Sequence, residues 1–75
     1  MDAQGVAFSA AGFGGAAVTL SAAYGISKLA SMAMQAIARQ PEAAGEIRGA
    51  MIITAAMIEG VALLAAVICF LLSLK

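Results

Sequence analysis

The sequence predicts an all-α membrane protein, a two-helix transmembrane hairpin that assembles into a homo-oligomeric ring. Three observations lead there. The 75 residues are 64% hydrophobic and only 11% charged, where soluble proteins carry roughly 25% charged residues. Two long apolar runs flank a single polar segment, RQPEAAGEIR, from Arg39 to Arg48. Rows of small residues mark the first run, and such rows let membrane helices approach closely where lipid supplies no hydrophobic drive.

The first run follows a polar lead and carries no charge from Gly5 to Ser27, enough residues to cross a bilayer. Lys28 interrupts it, but small and apolar residues continue to Ala38. The first transmembrane helix is therefore placed at about 5–38. The N-terminal MDAQG has no basic n-region, so Met1 is expected to be the mature start rather than the opening of a signal peptide.

The polar turn is placed at 39–45. Pro41 cannot sit in a helix interior and biases Gln40 away from α geometry. Proline suits the first position of a helix, so Pro41 is expected to open the second one. Glu42 and Glu46 then lie near its positive end, and Arg39 lies at the negative end of the first helix. The second helix is placed at about 46–74, ending before Lys75. Nothing remains for a third span, so both termini lie on one side of the membrane. Arg39 and Arg48 beside the turn favour a cytoplasmic turn.

In the first helix, Ala11, Gly15, Thr19, Ala23, Ser27 and Ser31 recur at four-residue steps. A second row is Ala10, Gly14, Ala17, Ser21 and Gly25. One partner helix uses only part of this surface. Packing of several identical copies uses the rest, and a closed ring is the symmetric solution for head-to-tail contacts. Ala11, Gly15, Thr19, Ala23, Gly25 and Ser27 are the expected ring-packing residues.

The chemistry concentrates at Glu59. From Ala50 to Leu74 it is the only ionisable side chain apart from the Cys69 thiol, in a stretch about 37 Å long as a helix. Acids inside membrane helices mark ion paths. Apolar surroundings disfavour the charged form, so the carboxyl is expected to be neutral at rest and to donate one hydrogen bond. Antiparallel pairing about a turn centre near residue 42 or 43 sets Glu59 opposite Ile26 and Lys28 opposite Met57. The competing roles for Glu59 are inter-helix glue and an ion pair with Lys28. Against the ion pair, the long lysine stem can carry its charge toward the turn-side surface. Thr54, Thr19, Ser21 and Ser27 are expected to hydrogen-bond their own helix backbone. Balanced charge, four acids against four bases, gives no reason to expect nucleic acid. One cysteine and no histidine argue against disulfides, metal clusters and histidine-based catalysis, and no cofactor or metal is expected.

Arg39-Gln40-Pro41-Glu42 in the turn, Ile58-Glu59-Gly60-Val61-Ala62-Leu63 around the acid, and the spacing between them resemble the c subunit of the F-type ATP synthases, the proteolipid of the membrane rotor. The resemblance covers nearly the whole chain. It implies a non-catalytic, proton-carrying rotor subunit in a ring of identical hairpins, with helix 1 inside and helix 2 outside. It further implies that Glu59 is loaded and unloaded with a proton against the a subunit, the membrane stator. The Arg39-Gln40-Pro41 turn would dock on the central-stalk subunits, and lipid would surround the ring, in a bacterial inner membrane.

Three features depart from the family's patterns. Helix 1 replaces alternate glycines with Thr19, Ser21, Ala23, Gly25 and Ser27. The positions that in sodium-coupled members carry a glutamine, a hydroxyl residue and a tyrosine are Ile26, Gly60 and Leu64 here. None of them offers the side-chain oxygen a dehydrated cation requires, so the expected ion is H+ and not Na+. In related proton sites the acid bonds the carbonyl two residues earlier, here that of Met57. Lys28 is the third departure and has no family role. A small pore-forming, holin-like hairpin is the alternative reading, but a pore has no need of Arg39-Gln40-Pro41 beside a lone deep acid.

Overall fold

A computed structural model describes residues 2–75. Helix α1 spans Ala3–Arg39, a single 3-10 turn spans Pro41–Ala43, and helix α2 spans Ala44–Ser73. Asp2 caps α1 by accepting a hydrogen bond from the Gly5 N–H at 2.7 Å, which satisfies one of the orphan donors of the first turn. Arg39 occupies the last turn of α1, facing the negative end of the dipole.

The chain reverses within very few residues. Only Gln40 lies outside a helical segment between α1 and α2 (φ −135°, ψ 74°). Its N–H still donates to the Ala36 carbonyl at 2.9 Å, and its own carbonyl accepts from Ala43 N–H at 3.0 Å. Pro41 then opens the 3-10 turn, where its fixed φ and missing donor cost nothing. Each helix consequently starts two residues before its expected position, α1 at Ala3 and α2 at Ala44. The turn expected at 39–45 contracts to 40–43.

Two rods packed side by side give Cα extents of 58 × 15 × 8 Å. The seam on α1 follows Ala11, Gly15, Val18, Ala22, Gly25 and Leu29. On α2 it follows Met51, Ala55, Ile58, Ala62, Ala65 and Cys69, all half-buried or buried. Alternating four- and three-residue steps are the spacing that keeps one stripe facing a partner helix. At two levels of the seam a glycine stands opposite a side chain of α2. A Cβ on Gly14 would lie 3.1 Å from Cys69 Sγ, and one on Gly25 would lie 3.6 Å from Ile58 Cδ1. The two contacts are eleven residues apart on both helices, so the pairing runs in constant register. That register sets Glu59 level with Tyr24 and Lys28 level with Ala55. Both levels are two residues from those expected, because the contracted turn moves the crossing point toward Gln40.

Little is buried by one copy. Among the described hydrophobic residues only Ala11 and Ala33 are enclosed, while Phe13, Leu20 and Val61 are each more than 70% exposed. Both helices are long and apolar enough to cross a membrane. Polar groups in the spans largely satisfy themselves. Thr19, Ser27, Thr54 and Ser73 donate to Gly15, Tyr24, Ala50 and Phe70 carbonyls of their own helices at 2.6–3.2 Å.

Candidate functional site

Glu59 follows the seam residue Ile58 by one position, and a helix turns about 100° per residue. The carboxyl is thereby carried out of the seam onto one flank of the hairpin. There it lines an open groove with Thr19, Ala23, Ile26, Ser27 and Ala30 of α1 and Leu63 of α2. The opposite flank carries a second groove, lined by Ala17 and Ser21 of α1 and by Thr54, Met57 and Val61 of α2. Two residues separate Met57 from Glu59, a rotation of about 200°, which explains why they fall on opposite flanks.

Glu59 is exposed in the single hairpin. Among the described residues its carboxyl makes no hydrogen bond and no ion pair, with Lys28 or with the Met57 carbonyl. Lys28 lies seven residues from Ser21, two turns along the same face of α1, so it continues the flank that does not hold Glu59. The two side chains are turned to different sides of one copy, and the intrachain ion pair weighed from the sequence does not form. Gly60 is exposed, and a Cβ added there would meet nothing within 4 Å. Nothing inside one hairpin therefore requires a glycine next to the acid.

The expected packing rows divide between two tasks. Ala11 and Gly25 belong to the seam inside the hairpin, with Ala11 buried and Gly25 against Ile58, while Gly15 is half-buried at the seam's edge, where an added Cβ would meet nothing within 4 Å. Thr19, Ala23 and Ser27 are exposed on the Glu59 flank. Steps of four advance 400°, so such a row drifts about 40° per step around the helix and leaves the seam after two steps. The expectation missed that Thr19 and Ser27 share the groove with Glu59. Their hydroxyl protons are committed to backbone carbonyls, and each oxygen keeps acceptor capacity. The angular drift along the row carries that signal.

At the other end, Arg39, Gln40 and Pro41 are all exposed at the tip of the hairpin. Arg39 is held in the last turn of α1, Gln40 by hydrogen bonds to Ala36 and Ala43, and Pro41 in the 3-10 turn. With the charges of Glu42, Glu46 and Arg48 they form the polar end of an otherwise apolar body.

The family model for the C subunit of ATP synthase matches residues 5–72. The chain is 55% identical over 69 residues to the ATP synthase c subunit of Bacteroides thetaiotaomicron, covering 92% of this chain and 81% of that one. It is 52% identical to the ATP synthase c subunit of Phocaeicola vulgatus over the same length, with 92% and 82% covered. A more distant relative, the ATP synthase c subunit of Lactobacillus helveticus, is 38% identical over 65 residues, with 87% and 84% covered. No solved structure matches significantly. A family match over nearly the whole length joins the apolar hairpin, its polar tip and its single flank carboxyl into one assignment: the chain belongs to the ATP synthase c-subunit family.

Proposed function

We propose that Glu59 is the proton carrier of this rotor subunit and that its site is completed by the next copy in a ring. The c subunit is the non-catalytic, ion-translocating part of a rotary enzyme, so the chain must hold an ion and let it go while keeping its fold. One observation carries the reading. The only carboxyl within either apolar span stands on an open flank without a partner among the described residues of its own chain.

A neutral carboxyl can lie against lipid or apolar side chains, where a charged one is strongly disfavoured. When identical hairpins pack flank to flank, the Glu59 groove of one copy meets the Met57 groove of the next. The neighbour's Met57 carbonyl then comes within reach as acceptor for the carboxyl proton. A cation on the stator's a subunit favours the ionised form only at the exchange point, so the proton leaves there and is replaced from the other half-channel. One charge moved through about 100 mV yields about 2.3 kcal/mol, so several steps must be summed by one rotor. The ion is H+ rather than Na+, because Ile26, Gly60 and Leu64 put no side-chain oxygen at the cation-ligand positions. Arg39, Gln40 and Pro41 contact the central stalk. The turn faces the cytoplasm of a bacterial inner membrane, as the two arginines beside it favour. A pore-forming hairpin would need neither the docking tip nor the single flank acid.

The direct test is carbodiimide labelling of the purified ring across a pH series. The reagent attacks a protonated carboxyl, so modification confined to Glu59 and falling as pH rises is expected. Protection by sodium at fixed pH would assign the site to Na+ instead.

A further inference from the structure

The charged tip repeats the order of the flanks. Arg48 precedes Glu59 by eleven residues, and Glu46 precedes Met57 by the same step. Eleven residues turn a helix by about 1100°, within about 20° of three full turns. The seam itself holds over that step, from the Gly25–Ile58 contact to the Gly14–Cys69 contact. Arg48 therefore stands on the Glu59 flank and Glu46 on the Met57 flank, each about 16 Å nearer the turn. Both side chains are exposed, and among the described residues neither makes an ion pair inside the hairpin. Two residues apart on one helix, they do not face each other.

We infer that Arg48 of one copy pairs with Glu46 of the next, and that this charge order dictates which flank meets which during assembly. The inference rests on the ring of Glu59-to-Met57 contacts proposed above. Copies in a closed ring stand at equal height. The offset between Arg48 and the neighbour's Glu46 is therefore two residues, about 3 Å of rise, which the arginine side chain bridges. Flank-to-flank packing of hairpins that point the same way sets α2 beside α2, and both residues are on α2. Arg39, eleven residues beyond Lys28, shares the Glu46 flank but stands on α1. Contact of like flanks would set Arg48 against Arg48, or Glu46 against Glu46. Only head-to-tail contact brings the opposite charges together, and like charges facing across an interface suppress the wrong arrangement. One such solvent-facing pair is weak, but it recurs at every interface of the ring.

The test uses an Arg48→Lys ring, which keeps the charge and offers a water-soluble carbodiimide an amine to join to a paired carboxylate. The expected result is a ladder of covalently linked copies on denaturing gels, lost when Glu46→Gln is added. Native mass spectra of the same samples report the rings. Intact rings with no ladder, or with the same ladder after Glu46→Gln, would overturn this inference and leave the ring itself standing. Absence of rings from the unaltered protein would overturn the ring reading and this inference with it. Charge reversal is the second variant. Glu46→Arg should lower the temperature at which rings dissociate in mild detergent, and adding Arg48→Glu should recover it. Both variants carry the same unfavourable arginine in the first turn of α2, so recovery isolates the pair. A double variant no more stable than the single one would overturn the inference.

Discussion

The two flanks of the hairpin are built from similar small and apolar residues and differ in the charged groups of their apolar spans, Glu59 on one and Lys28 on the other. Each is an open groove lined by small α1 residues and larger α2 residues. Thr19 and Ser27 on one flank and Thr54 on the other are bonded to their own backbone, whereas the bond expected of Ser21 does not form among the described residues. One flank holds Glu59 with Thr19, Ala23 and Ser27, and the other holds Thr54, Met57 and Ser21. A hairpin with unlike flanks cannot pair through one of them and be satisfied on both. Contact of unlike faces propagates from copy to copy until rotation closes it. In the proposed ring the carboxyl is repeated once per interface, presented by one copy to the complementary face of the next.

The sharpest way to break the comparison is to remove what distinguishes the flanks. Glu59→Gln keeps the size and the groove but cannot release a proton. It should abolish ATP-driven proton pumping in reconstituted vesicles, while circular dichroism stays helical and rings still form. Pumping that survives would remove Glu59 from its role.

Next in size is loss of assembly. Ala23→Leu fills the Glu59 groove and Ala17→Leu fills the other. If unlike flanks meet, either substitution alone should shift native mass spectra in mild detergent from rings to small species. An Ala17→Leu ring of normal size would mean that only one flank makes contacts and that the pairing is of like faces.

The smallest effect sharpens the boundary between seam and flank. Gly14→Ala must displace Cys69 Sγ, which stands 3.1 Å from the added carbon. Overpacking costs about 1–3 kcal/mol and the helix propensity of alanine returns about 1. Thermal unfolding in detergent should show a loss of up to about 2 kcal/mol. Gly60→Ala meets open space, so hairpin stability should hold or rise by up to about 1 kcal/mol. Any defect it causes should appear only in rings, as impaired assembly or transport.

Much of this architecture was legible beforehand because it rests on local rules. Apolar run length gives the helices, and Pro41 after Gln40 gives the reversal. A lone glutamate among twenty-five residues marks the candidate site. The division of labour around each helix was not legible, since it depends on the crossing register. A turn contracted to Gln40 and one 3-10 turn shifted the level of Glu59 from Ile26 to Tyr24. Four-residue rows look continuous on paper, yet Ala11 ends up inside the hairpin, Gly15 at the edge of the seam, and Thr19, Ala23 and Ser27 outside it. For the same reason Met57, two positions from the acid, serves the other flank.

The brevity of the reversal bears on mechanics. Gln40 alone lies outside helical geometry, and backbone hydrogen bonds tie it to Ala36 on one side and Ala43 on the other. A long loop at this end would bend under a sideways load and absorb displacement before passing any on. Here a push applied to Arg39, Gln40 or Pro41 is delivered directly to the ends of two packed helices. The tip therefore has little elastic give of its own.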